Sequence, residues 1–205
     1  MRHSGREPED EAARDLVHTN RRRAAAAFLL AEALKPREGE SFAALCERAQ
    51  RTSPERPNGR EPLTDLRRRD PVRAARYEQF VWTPQVLPLA QIRVWPGMDH
   101  LPASWCEGAV PQVASYVRRF GVPETARRMH SIWALTSTIE PATLIDWLEC
   151  IPLPVIPDAM LHDRPPLSGA PWSLDDGCTR AVVLCLLGVE SVRVLVGERS
   201  GQAPS

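Results

Sequence analysis

The sequence lacks most of the features that would place it at once in a functional class. It has no N-terminal apolar segment of signal-peptide length and no run near the roughly 18 apolar residues of a membrane span. Its five cysteines show no C-x-x-C spacing, and together with the five histidines they form no zinc-site pattern. We therefore expect a reducing cytoplasmic location, no disulfide framework and no membrane partner.

Net charge is also absent, because Lys+Arg and Asp+Glu both number 26. The balance is uneven along the chain: residues 1–76 hold 17 basic and 13 acidic groups, and the remainder holds 9 and 13. Arginine runs at 21–23 and 67–69 could contact phosphates, although the accompanying acids cancel much of their charge. Nucleic acid binding through these segments is thus possible but not favoured.

The first 76 residues predict a helical, arginine-rich region. Residues 1–20 are charged and offer little to bury, so we expect a disordered start. Residues 21–35 are strong helix formers, residues 41–50 predict a second helix with Ser41 as its N-cap, and residues 63–76 can form a third.

The most informative stretch runs from Trp172 to Gly197. A short apolar lead-in, an Asp-Gly turn, an apolar helix that stops at Gly188 and an alternating strand over residues 192–196 together predict a β-turn-α-β unit. Backbone N–H groups at the start of such a helix have no helical partner, and Arg180 would add a forked donor. The unit therefore predicts a small-ligand site that binds an anion.

The segment Asp176-Gly-Cys-Thr-Arg-Ala181, with its apolar helix, Leu-Gly and V-x-V-x-V strand, resembles the D-G-x-x-R signature of the ParB/sulfiredoxin-like superfamily. That superfamily includes ParB-type CTPases, sulfiredoxins and free-serine kinases. Residues 86–94 and 151–156 look like its opening and middle strands. The resemblance implies an α+β fold: a small mixed sheet with helices over residues 77–205, with a helical insertion at residues 110–148, preceded by the helical N-terminal region.

The free-serine kinase branch implies a phosphotransferase that uses ATP or ADP with Mg²⁺ to phosphorylate a small hydroxyl compound such as free serine. Phosphoryl transfer usually needs Mg²⁺, and Asp175 or Asp176 could contact the metal or a substrate amine, with Asp175 as our candidate metal ligand. The nucleotide would be bound by the five residues of the turn: Asp176, Gly177, Cys178, Thr179 and Arg180.

The same branch has a catalytic glutamate in the loop after its first strand, close behind a proline. Here Pro96 is followed by Asp99 and His100 rather than by the Pro-His-Glu order of that branch. Our order of preference for the catalytic acid is Asp99 and then Glu107, with His100 as a supporting donor.

Two other functions remain open at this point. A ParB-like, nucleotide-dependent DNA-binding protein would have to contact DNA through the arginine-rich N-terminal region. A sulfiredoxin-like oxidoreductase would use Cys178 as nucleophile, because Gly177-Cys178-Thr179-Arg180 matches the wording G-C-x-R and a thiol at a helix N-terminus beside an arginine ionises easily.

Overall fold

The computed structural model describes residues 8–37, 40–53, 55–56, 59–161 and 165–199. The fold class is α+β, as the sequence predicts. The helices are α1 (Pro8–Ala33), α2 (Phe42–Arg51), α3 (Pro62–Arg69), α4 (Pro71–Gln79), α5 (Val110–Phe120), α6 (Arg127–Leu135), α7 (Pro141–Glu149), α8 (Asp158–Leu161) and α9 (Cys178–Leu186). The strands are β1 (Phe80–Pro88), β2 (Ile92–Arg93), β3 (Leu153–Pro157), β4 (Trp172–Leu174) and β5 (Ser191–Arg199).

The strands form one mixed sheet in the order β1-β5-β3-β4-β2. β1 runs antiparallel to β5 along its whole length, from the Phe80–Arg199 pair to the Pro88–Ser191 pair. β3 is parallel to β5 and antiparallel to β4, and β4 is parallel to β2. β1 lies at one edge of the sheet, which suits its prolines, because a residue without an N–H cannot pair on both sides.

Helices cover both faces of this sheet, and strand periodicity explains how. Val194 and Val196 of β5 belong to the hydrophobic cluster shared with α5, α6, α7 and α9, whereas Leu195 belongs to the cluster shared with α1, α3 and α4. The side chains of β3 alternate in the same way: Val155 belongs to the cluster with α5, α6, α7 and α9, and Ile156 belongs to the cluster with α1, α3 and α4. Successive strand side chains point to opposite faces, so an almost continuously apolar strand can be buried from both sides.

The N-terminal helices differ from the prediction in two places. α1 begins at Pro8, so residues 8–20 are helical although we expected disorder; residues 1–7 lie outside the described residues. The predicted helix over residues 63–76 is two helices, because Asp70 caps α4 by accepting a hydrogen bond from the Arg73 N–H at 2.9 Å. Pro71 then occupies the first turn of α4, where its missing N–H costs nothing.

The predicted cap of the second helix is confirmed. Ser41 caps α2, since its hydroxyl accepts from the Ala44 N–H at 3.2 Å. Helices α5, α6 and α7 follow one another between β2 and β3. In the part of the chain that the structure describes, no helix combines the length and the hydropathy needed to cross a membrane.

Candidate functional site

The predicted β-turn-α-β unit is present as β4, α9 and β5. Between β4 and α9 the chain turns at Gly177, whose backbone is left-handed, with φ 83° and ψ 19°. Glycine suits this position because it has no Cβ to clash in that conformation. Gly177 is also the N-cap of α9, and with no side chain it leaves the first N–H groups of the helix without a side-chain cap.

A cavity of about 970 Å³ lies in front of this turn. The second half of α1, the segment from Glu124 into α6, and the end of α7 supply most of its other walls. The predicted nucleotide-binding residues, Asp176 to Arg180, all line it, and so does Asp175. The side chains that complete the walls come from distant parts of the chain and include Phe28, Glu32, Lys35, Arg73, Trp95, Arg127, Arg128, His130, Ile132 and Trp147.

Arg180 faces this cavity from the first turn of α9 and is held by carbonyl groups. Its Nη1 donates to the Ile151 carbonyl at 2.9 Å and more weakly to the Leu148 carbonyl at 3.5 Å. Its Nη2 lies 3.9 Å from Oδ2 of Asp176 and makes no hydrogen bond within the described residues. Burial lowers the pKa of Arg180, although Asp176 opposes the shift. A buried donor that lacks a hydrogen bond is incompletely satisfied, and an anionic ligand atom would complete it.

Asp175 is an ion-pair residue. Its side chain is fully buried; Arg76 Nη1 donates to Oδ1, and Arg73 Nε lies 3.0 Å from Oδ2 without the alignment of a hydrogen bond. Both carboxylate oxygens thus face arginines, which leaves Asp175 poorly placed for its predicted role as a metal ligand. Over the described ranges, no group of three or more His, Cys, Asp or Glu side chains converges as a metal site would require.

The residues predicted to supply the catalytic acid lie elsewhere. Asp99 caps α6: Oδ1 accepts from the Arg128 N–H at 3.1 Å and Oδ2 from the Met129 N–H at 2.6 Å. Asp99 and His100 both have left-handed backbones, with φ 48° and 59°. Glu107 is exposed. None of Asp99, His100 and Glu107 is among the described residues that line the cavity, whereas Glu32, Glu124 and Asp176 are.

The environment of Cys178 differs from that of an activated thiol. Burial raises the pKa of Cys178 to about 12; the Trp95 backbone opposes this shift, and the nearby charge of Asp176 adds to it. The helix N-terminus and Arg180 had suggested the opposite direction. A thiol with this pKa is neutral near pH 7, and the thiolate is the nucleophilic form.

The two arginine runs are largely engaged within the protein. Arg21 donates to the Phe80 carbonyl at 3.0 Å, and Arg22 pairs with Glu61 at 3.2 Å. In the second run, Arg67 and Arg69 pair with Glu78 at 2.7 Å and Asp65 at 3.0 Å. These partners agree with a solvated helix surface more than with a phosphate-binding stripe.

Comparison of the chain with protein-family models, with curated proteins and with solved structures finds no match. The superfamily resemblance therefore continues to rest on the sequence motif at the turn and on the sequences of the strands. Sequence reasoning did not identify Arg73, Arg127 or the α1 residues as parts of the site, because only tertiary packing brings these distant segments to the turn.

Proposed function

We propose that this protein binds a nucleotide in the cavity at the N-terminus of α9 and transfers a phosphoryl group from it to a small hydroxyl compound, such as free serine. One observation carries the proposal: a cavity of about 970 Å³ lies against a helix start that has no side-chain cap and an arginine whose Nη2 lacks a hydrogen bond within the described residues. Free N–H groups and the helix dipole favour phosphate at such a position.

The lining of the cavity suits the two parts of a nucleotide. Its volume falls within the range of small-molecule sites, roughly 300 to 1,000 Å³. Phe28, Trp95 and Trp147 offer apolar and aromatic surface that a base could contact. Basic groups at the turn and the rim, among them Arg127 and Arg128, would neutralise phosphate charge.

Carboxylates on the walls could supply the remaining chemistry. Phosphoryl transfer to a hydroxyl needs a group that accepts the hydroxyl proton. Glu124 is our candidate because it lines the cavity outside the turn, and Glu32, which does so too, is paired with Lys35. Asp176 would hold Mg²⁺, since that ion is commonly bound by one or two carboxylates together with substrate phosphates. When bound, the ion would offset the charge that develops on the phosphate oxygens.

The neutral state of Cys178 favours this function over a sulfiredoxin-like one. Attack by sulfur requires the thiolate, and the raised pKa of Cys178 keeps that form scarce at physiological pH. In the phosphotransferase, Cys178 would contribute its backbone N–H at the start of α9 rather than its thiol.

Calorimetric titration with ATP, ADP and CTP, each with Mg²⁺, tests the proposal. We expect saturable binding of an adenine nucleotide, weakened at least about tenfold in Arg127→Ala and Arg180→Ala because each loses a charge-assisted contact. Arg118→Ala is the control: Arg118 donates to the Leu186 carbonyl at the other end of α9 and should leave the affinity unchanged. Absence of nucleotide binding would refute the proposal, and a preference for CTP would favour the ParB-like function.

A phosphorylation assay with ATP and free serine then separates binding from transfer. We expect Glu124→Gln to retain nucleotide affinity and to lose the transfer of phosphate. Retention of full transfer in Glu124→Gln would show that the proton acceptor is another group.

A further inference from the structure

We propose that Arg73 and Arg76 of α4 are positioning residues that hold the turn between β4 and α9 through Asp175, and that the N-terminal helices are thereby part of the ligand site. The ligand-binding half of this inference rests on the proposed function. The positioning half rests only on the contacts of Asp175.

Asp175 is held through its backbone and through its side chain. Its N–H donates to the Pro154 carbonyl at 2.8 Å, which joins it to β3. Its side chain is fully buried and lies between the guanidinium groups of Arg73 and Arg76. Arg73 also donates from Nη2 to the Asp175 carbonyl at 3.3 Å, so α4 holds both the side chain and the backbone of this residue.

Arg73 and Arg76 are three residues apart on α4 and therefore lie on one face of the helix, which allows both to reach the same carboxylate. A buried carboxylate is costly unless it is paired and hydrogen-bonded, and these two arginines offset the cost of burying Asp175. Burial by itself would lower the pKa of Arg73, but the neighbouring Asp175 raises it above the usual value, and the guanidinium stays charged.

The same arginine joins the turn to α1. The Arg73 guanidinium lies over the ring of Phe28, 4.1 Å from its centroid, and both residues line the cavity. Phe28 in turn belongs to the hydrophobic cluster that packs α1 on the sheet. α1 and, through Arg73, α4 therefore contribute to one wall of the cavity. α4 also contacts Asp175, the residue that directly precedes Asp176 and Gly177.

This arrangement gives the N-terminal helices a specific role. The direction of the free N–H groups of α9 depends on the backbone of residues 175–177, and that backbone is held from α4. Loss of either arginine would leave Asp175 incompletely paired and would loosen the turn. A ligand that binds at the start of α9 would then meet a less ordered site and bind more weakly.

Hydrogen exchange of the free protein and ATP titration with Mg²⁺ together test the inference in the full chain. We expect Arg76→Gln to speed the exchange of amides 175–181 by about tenfold or more and to weaken ATP binding at least about fivefold. Arg76→Lys should restore part of both losses, because it keeps the charge but not the planar fork. The control is Arg67→Gln, which removes an exposed arginine that pairs with Glu78, and which should change neither measurement more than about twofold.

The outcomes separate the two proposals. Unchanged exchange at residues 175–181 in both Arg76 variants would overturn the positioning role, whether or not ATP binds. Faster exchange with unchanged ATP affinity would overturn the claim that α4 serves the ligand site and leave the proposed function standing. If the wild-type protein binds no ATP, the proposed function fails, and the exchange data alone decide whether the arginines position the turn. If Arg76→Gln does not fold, Arg76→Lys supplies the same comparison.

Discussion

Replacement of Gly177 by alanine tests the geometry of the turn most directly. Gly177 has φ 83°, and a Cβ built on its backbone would lie 2.5 Å from Leu153 Cδ2 and 2.9 Å from Arg180 Nη2. Neither neighbour can move freely. Leu153 is buried in the core, and Arg180 is held by the Ile151 carbonyl. The substitution therefore combines backbone strain with a steric clash.

Backbone strain and the steric clash each reduce the stability of the fold by an amount that can be estimated. An L-residue in the left-handed conformation costs about 1–2 kcal/mol, partly offset because alanine restricts the unfolded chain. Overpacking of a buried site adds about 1–3 kcal/mol. We expect Gly177→Ala to lower the free energy of unfolding by about 2–4 kcal/mol in total.

Gly188 is the matched control because it lies just past the other end of α9. Its φ is 91°, but nothing lies within 4 Å of a Cβ built there, so Gly188→Ala should cost only about 1 kcal/mol from the backbone. Urea denaturation of both variants measures the difference. Equal losses of stability would refute the claim that Leu153 and Arg180 pack tightly against the turn.

Three further predictions concern a helix cap, an ion pair and two cysteine thiols. Asp99→Ala should destabilise the protein by about 1 kcal/mol through loss of the α6 cap and leave ATP affinity unchanged, which calorimetry would check. The hydrogen bond from Arg48 lowers the pKa of Glu40 from 4.5 to about 2. The pair therefore stabilises the fold above pH 4.5, and this stabilisation is lost as the pH falls toward 2. Urea denaturation over that range should show a smaller acid-induced loss of stability in Glu40→Gln than in the wild type. Burial raises the pKa of both Cys150 and Cys178, that of Cys178 to about 12, so iodoacetamide near pH 7 should alkylate the exposed Cys150 faster than the half-buried Cys178. Mass spectrometry of the native protein would show the difference, and rapid modification of Cys178 would contradict its neutral state.

The parts of the fold that were predictable depend on neighbours in the sequence. α9 and β5 follow from a run of apolar residues, the stop at Gly188 and the alternation over residues 192–196. Each of these signals acts over a few residues, so one sequence suffices to find it. The break between α3 and α4 also has a local signal in the sequence, because Asp70-Pro71 is an N-cap followed by a first-turn proline.

The role of Asp99 could not be predicted in this way. Whether a carboxylate accepts a proton from a substrate or caps a helix depends on what the fold places beside it. In this structure the N–H groups that meet Asp99 belong to Arg128 and Met129, 29 and 30 residues further along the chain. The sequence offered a loop with an acid and a histidine, and that pattern fits either role.

Tertiary contacts also explain the many arginines of the N-terminal region. Arg21 and Arg22 attach α1 to β1 and to the start of α3, and Arg73 and Arg76 neutralise the one carboxylate buried at the β4–α9 turn. An excess of basic groups therefore does not by itself indicate a nucleic-acid surface, since several of them pair with acids or carbonyls within the fold.

Deletion of residues 1–76 would consequently be a poor test of nucleic acid binding. It would remove α1, α3 and most of α4, and so expose the apolar sheet face that carries Trp82, Ile156 and Leu195. It would also remove both arginines that pair with Asp175 and leave a buried charge without compensation. Loss of binding in such a truncated chain would report unfolding rather than a lost contact. Point substitutions in the full chain, compared with Arg67→Gln, keep the sheet covered and allow the two causes to be distinguished.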